Sequence, residues 1–179
     1  WDPMRTEAAW EHLYRDTFWG QGGGTVIFSA ISALDIALWD IRGKALQVPV
    51  YQLLGGKTRD SLRCYASQLQ FGWDGRDHRY AASGDSAAAE GYTAVKVDPF
   101  QIGPNGEHGC RNTGLLTHDQ IQRYRGRLQA VREAVGPGTD IILECHAGLD
   151  ASSAVQFGTL AGDLDLYYME EPCTPLNPV

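Results

Sequence analysis

The sequence predicts an α/β fold of parallel strand–helix units preceded by a separate helical segment. Two patterns carry this prediction. From residue 62 onward, short β-favouring runs alternate with helical runs, the rhythm of a parallel sheet whose crossovers are helices. Before residue 57 the apolar residues follow the helical period alone. Composition sets the outer bounds: 179 residues, 43% hydrophobic and 21% charged, suffice for one sizeable core and argue against disorder.

Each element can be justified in order. "EAAWEHLYRD" has helical spacing, and the glycine cluster from Gly20 to Gly24 breaks it. In "TVIFSAISALDIALWDIRGKAL", Ile27, Ile31, Leu34, Leu38, Ile41 and Ala45 recur at steps of three and four, placing one broad apolar stripe on a second helix. Pro49 and the Gly55–Gly56 pair then mark a turn-rich junction, so a domain boundary is expected near Lys57, dividing the chain into residues 1–57 and 58–179. Beyond it, a strand over Leu62 to Ser67 leads to the Ala-rich "RYAASGDSAAAEG". A strand over Thr93 to Val97 leads, after a long loop, to "THDQIQRYRGRLQAVREAVG", where Thr117 and Gln120 form a capping box and Gly136 ends the helix. Strands over Asp140 to Glu144 and Leu166 to Glu170 flank the helical "SSAVQFGTLAG". Four such strands make half of a (β/α) barrel, which closes with eight units in roughly 250 residues. The rival, a doubly wound open sheet, normally brings a Gly-rich phosphate turn after its first strand. Here "GQGGGT" follows a helix, and "LLGGKT" has Tyr51 where a P-loop needs its first glycine.

Charge excludes further classes. Fifteen basic and twenty-two acidic residues give a net charge of −7 with no Lys/Arg cluster, so nucleic acid is not an expected partner. The longest apolar run is interrupted by Asp35 and by serines, and no basic-then-apolar leader opens the chain. A soluble, cytoplasmic protein without a membrane partner is expected. Cys64, Cys110, Cys145 and Cys173 are scattered with no C-x-x-C, which fits reduced thiols.

The stretch "DIILECHAGLD" ends a buried-looking strand in an acid and an imidazole, Glu144 and His146. In parallel α/β folds the C-terminal ends of strands face the ligand. Glu144 and Glu170 both stand there, one strand–helix–strand unit apart, and Lys96 stands at the end of the preceding strand. Two carboxylates at one partly buried rim repel each other, a penalty that a hard divalent cation such as Mg²⁺ removes. For either acid alone, a helix cap or a lysine partner is the commoner outcome.

Four ordered blocks, "AISALDIALWDIRGKALQVPVYQLLGG", "GYTAVKVDP", "DIILECHAGLD" and "YYMEEP", resemble the enolase superfamily. Within it the chain is similar to the mandelate racemase-like group that includes acid-sugar dehydratases such as galactonate dehydratase. The resemblance covers essentially the whole chain. It implies that residues 1–57 are the later, helical part of an α+β capping domain, and that residues 58–179 are the first four βα units of a modified TIM-like barrel. It places Glu144 at the first metal-ligand position, usually an Asp, and Glu170 at the second. His146 matches the general-acid position, and Lys96 the first Lys of a K-x-K pair. Asp98 replaces the second Lys, which disfavours a racemase with paired bases. The base and a third metal ligand are implied beyond Val179, so the isolated chain is expected to be inactive.

In the long loop "DPFQIGPNGEHGCRNTGLLTHDQ", His108 and Arg111 are, with Asp98, the expected substrate contacts. The activity implied is Mg²⁺-dependent dehydration of an aldonate or aldarate by a protein that is a homo-oligomer at full length. A racemase or cycloisomerase of the same superfamily, and a non-catalytic binder of metal or sugar acid, are the alternatives.

Overall fold

The computed structural model describes residues 2–70, 79–109 and 111–174. The chain divides into two compact units, Trp1–Leu62 and Arg63–Val179. In the first, helix α1 (Thr6–Arg15) is followed by the short α2 (Phe18–Gly22), the long α3 (Thr25–Leu46) and a single turn, α4 (Val50–Leu53). The glycine cluster does interrupt the helical run, yet part of it is itself helical, because Thr17 caps α2 by accepting the Gly20 N–H at 3.1 Å. A Cβ on Gly20 would lie 2.6 Å from the carbonyl oxygens of Leu13 and Tyr14, so the close approach needs glycine. Helix α3 ends on Gln47 in the left-handed region at φ 56°, with Val48 N–H returning to the Gly43 carbonyl at 3.0 Å.

The apolar stripe of α3 is only partly covered within this unit. Ile31 is buried, but Leu34 and Ile41 remain 52% and 44% exposed. The cause is geometric: within this unit a 22-residue helix has α1 and the two short helices α2 and α4 to pack on. No helix among the described residues is long and apolar enough to cross a membrane.

The second unit runs α5 (Arg79–Ala89), β1 (Ala94–Val97), α6 (His118–Val135), β2 (Asp140–Glu144), α7 (Ala151–Leu160), a 3₁₀ turn (Gly162–Leu164) and β3 (Leu166–Glu170). The three strands are parallel in the order β1-β2-β3. The strand expected over Leu62 to Ser67 is reduced to one parallel bridge, Ala66 to Val95. Ala66 exchanges hydrogen bonds with Ala94 and Lys96, but Gln68 then turns into the left-handed region at φ 62°, and Leu62 and Tyr65 stay exposed, so a longer ladder would bury little.

One face of the sheet carries Val95, Val97, Ile141 and Leu143, which join Leu128 and Val131 of α6 and Phe157 of α7 in the core. Gly84 of α5 lets that helix approach α6, since a Cβ there would stand 2.9 Å from Ala134 Cβ. The capping box of α6 is present on Thr117 and Gln120, and Asp150 with Ser153 forms a second one at α7 that the sequence reading did not single out.

The loop leaving β1 is tied down at several of its described residues. Arg127 of α6, only 2% exposed, donates from Nη1 to the carbonyls of Pro99 and Ile102 at 2.6 Å each and lies 5.2 Å from the Tyr80 ring centre. Phe100 packs edge-on against Tyr124 and Phe157. Farther along, Asn112 N–H donates to the Gly148 carbonyl at 2.8 Å, and the Gly114 N–H reaches the Asp150 carboxylate. Arg127→Met removes two charge-assisted bonds and leaves two buried carbonyls unpaired, so we expect a loss of about 3 kcal/mol in urea unfolding of the full-length protein. A loss below about 1 kcal/mol would contradict the anchoring role.

Candidate active site

Strand alternation selects the side chains that meet. Lys96 pairs in register with Ile142, and Glu144 with Glu170, so Lys96, Glu144 and Glu170 project from the same face while their neighbours fill the core on the other. Lys96 starts two residues short of the acids, a gap of about 6.6 Å along a strand that its four-carbon stem spans. Its Nζ lies 3.1 Å from Glu144 Oε2 and 3.0 Å from Glu170 Oε1. Both oxygens therefore sit around one point and no more than about 6 Å apart, within reach of a single cation's oxygen shell.

Each member is held in place. Glu144 is buried, and its Oε1 accepts the backbone N–H groups of Cys145 and His146 at 3.0 and 2.9 Å, leaving Oε2 to face Lys96. Burial disfavours its charge, but the His146 N–H and then the Lys96 ammonium outweigh that and hold its pKa below the ordinary 4.5. Partial burial likewise works against the Lys96 charge. Hydrogen bonds to Glu170 and Glu144 prevail and raise its pKa above the usual lysine value. Tyr168 Oη donates to Glu170 Oε2 at 3.3 Å, and the Tyr65 ring centre lies 5.3 Å from Lys96 Nζ. Burial first, then the charges of Asp98 and Glu144, push the Cys145 thiol up, so it stays protonated between Glu144 and His146. Cys173 is also a free thiol, and Cys110 lies outside the described residues.

His146 follows directly. Its backbone is in the left-handed region at φ 46°, as are Ala147 at 50° and Glu171 at 44° after β3. Non-glycine residues in this region store strain and cluster where function demands a fixed direction. The ring is half exposed, and its Nδ1 stands 2.7 Å from Asp98 Oδ2.

A cavity of about 70 Å³ is lined by Ser67, Gln68, Gln70, Lys96, Asp98, Glu144 and His146. Gln70 was not anticipated. It is buried, accepts the Asp98 N–H on Oε1 at 3.2 Å and donates to Gln101 Oε1 at 3.0 Å. Its only signal in the sequence is its place in "SQLQ", just after the first β-favouring run.

The expected substrate contacts fare differently. Asp98 borders the cavity but is 1% exposed: Oδ1 accepts the N–H groups of Phe100 and Gln101 at 2.7 and 3.0 Å, and Oδ2 faces His146. Its carboxylate therefore faces protein groups on both oxygens, where a contact to substrate was expected. Burial raises its pKa above the ordinary 3.8, with the His146 ring and the Phe100 N–H working in the opposite direction. His108 and Arg111 are exposed on the long loop and are not among the residues lining this cavity.

The donor set suits a hard cation. Glu144 Oε2 and Glu170 Oε1 face one locus, where the Lys96 ammonium lies in this structure, and Mg²⁺ commonly takes one or two such carboxylates with water or substrate completing its shell. Among the described residues no third His, Cys, Asp or Glu completes a three-ligand group.

Parallel βα units with charged side chains gathered at the strand ends belong to the barrel class of enzyme scaffolds. Residues 79–178 match the family model for the enolase C-terminal domain-like family, and residues 1–55 match that of the mandelate racemase / muconate lactonizing enzyme N-terminal domain. The chain belongs to the enolase superfamily, in its mandelate racemase-like group. It is 36% identical over 174 residues to the D-gluconate dehydratase of Thermoproteus tenax, covering 96% of this chain and 32% of that protein. It is 35% identical over 175 residues to the D-galactonate dehydratase of Pectobacterium atrosepticum, covering 96% and 41%. The solved structure of an enolase superfamily member from Salmonella Typhimurium superposes with a TM-score of 0.91 at 49% identity, over 99% of this chain and 47% of that one. The chain thus spans less than half the length of the relatives it matches.

Proposed function

We propose that the full-length protein is a Mg²⁺-dependent acid-sugar dehydratase acting on an aldonate or aldarate. The observation that carries this reading is the Lys96 ammonium shared by the strand-end carboxylates of Glu144 and Glu170, with His146 on the same rim. The names of the D-gluconate and D-galactonate dehydratase relatives support the substrate class.

In the reaction, a base outside positions 1–179 takes the proton from C2, and its bonding pair moves toward the substrate carboxylate. Glu144 and Glu170 are the residues that would hold Mg²⁺, which when bound would supply Lewis-acid stabilisation of that charge. The Lys96 ammonium, which contacts both carboxylates in this structure, adds a positive charge on the same side. The electron pair then returns, the C3–O bond breaks, and the leaving hydroxyl takes a proton from His146 Nε2 to depart as water. The enol that remains tautomerises to a 2-keto-3-deoxy acid. A racemase using a second lysine has no support here, since Asp98 occupies that position and is buried against His146.

The test is 2-keto-3-deoxy acid formation from a panel of aldonates and aldarates with the Mg²⁺-loaded protein. Turnover of at least one sugar acid is expected, and no keto acid from any member would overturn the reading. In the same protein, Glu170→Gln is expected to weaken Mg²⁺ binding at least tenfold in calorimetric titration, on the order of 1.4 kcal/mol, by removing a ligand charge. Unchanged affinity would remove Glu170 from the metal site.

A further inference from the structure

Asp98 is the most heavily constrained charged group at the rim that the proposed reaction does not use. It is 1% exposed, and every element around it holds it still. Its Oδ1 takes two backbone N–H groups from the turn that follows, at 2.7 Å from Phe100 and 3.0 Å from Gln101. Its own N–H is held by the buried Gln70, and its carbonyl accepts from Tyr80 Oη at 3.3 Å. Arg127 lies against the Tyr80 ring and grips the next carbonyl, that of Pro99. A carboxylate fixed at this many points has one oxygen left, Oδ2, and that oxygen lies 2.7 Å from His146 Nδ1.

We propose that Asp98 is a positioning residue for His146: its fixed Oδ2 accepts the Nδ1–H, locking the ring's direction and tautomer so that Nε2 alone can exchange a proton with substrate. The inference rests on the reading of His146 as the proton-transfer group. An imidazole with one face to solvent can present either nitrogen, and a carboxylate, which can only accept, forces the proton onto the nitrogen facing it. The backbone at His146 and Ala147 is held in the left-handed region, a conformation that non-glycine residues adopt where the surrounding structure imposes it. The replacement of the family's second lysine by an acid then has a physical account. The position points at the strand end two residues beyond β2, where an acid can orient an imidazole and a lysine would repel it once charged.

Asp98→Asn tests this in the full-length protein. Asn keeps an oxygen for the Phe100 and Gln101 N–H groups but turns an amide N–H toward His146 Nδ1, so the ring proton must move to Nε2. With ¹⁵N-histidine labelling, and His146→Asn to assign the resonance, the neutral His146 ring is expected to change from the Nδ1–H to the Nε2–H pattern. Turnover is expected to fall by about 10³-fold to 10⁴-fold with KM little changed; the same replacement behind a catalytic histidine elsewhere costs about 10⁴. In a His146→Asn background, Asp98→Asn should cost almost nothing further, because its effect passes through the ring. A ring that keeps Nδ1–H in Asp98→Asn overturns the proposal. So does an Asp98→Asn loss as large in the His146→Asn background as in the wild type, which would mark Asp98 as merely structural. A tautomer change with undiminished turnover supports the positioning and instead overturns His146 as the proton donor.

Discussion

Replacing His146 with Asn lowers kcat on the true substrate by about 10²-fold to 10⁴-fold while Mg²⁺ binding is retained, the range general acid catalysis contributes. Asn is the informative choice. It tolerates the left-handed backbone that His146 adopts at φ 46°, so the N–H that His146 donates to Glu144 stays in place. What it loses is the imidazole ring, whose nitrogens can both donate and accept a proton where an amide cannot. The two readouts are kcat at saturating Mg²⁺ and a calorimetric Mg²⁺ titration. Wild-type kcat in His146→Asn would return this residue to a structural role at the strand end.

Lys96→Met is expected to lower kcat/KM by at least 10²-fold, on the order of the loss of one pre-placed cation, and also to destabilise the fold by roughly 3 kcal/mol at neutral pH. The stability effect arises because the two carboxylates that share the ammonium would be left facing each other. Its pH dependence has a definite sign. Glu144 has its pKa lowered in the fold, so its stabilising contribution is present above the ordinary 4.5 and is lost as pH falls through the lower folded value. Lys96 has its pKa raised, so its contribution is present below 10.5 and is lost only as pH rises through the higher folded value. Thermal denaturation should therefore separate wild type from Lys96→Met across the neutral range and bring them together in acid, where protonation relieves the repulsion in the variant. Added Mg²⁺ should restore part of the lost Tm. Superimposable Tm profiles at all pH values would mean that the ammonium contributes nothing to the fold.

Much of the site was legible because its signals are local. A strand-end acid followed by a histidine, and a lysine ending the strand before, can be read from alternation and from the polarity of parallel sheets. Thr117 and Gln120 announced the start of α6 in the same way, since a capping box lies within four residues. The Asp98–His146 pairing was not legible because the partner is 48 residues away, just beyond another strand, and nothing in "KVDPF" says which groups the carboxylate meets. Gln70 and Arg127 were missed for the same reason: each acts through backbone groups of a distant turn, and those carry no residue code.

By itself, the sequence determined the parallel βα order, the helices, and which residue types stand at the strand ends. Only the tertiary structure decided that Glu144 and Glu170 stand level. The pairing of β2 with β3 slips between Ile141 and Ile142, where Ile141 pairs with Leu166 but Ile142 with Tyr168. Without that bulge the register would set Glu144 beside Met169, and Glu170 would lie one residue farther along. A single-residue shift reverses the face each side chain takes, and register is an agreement between two chain segments that neither segment encodes alone.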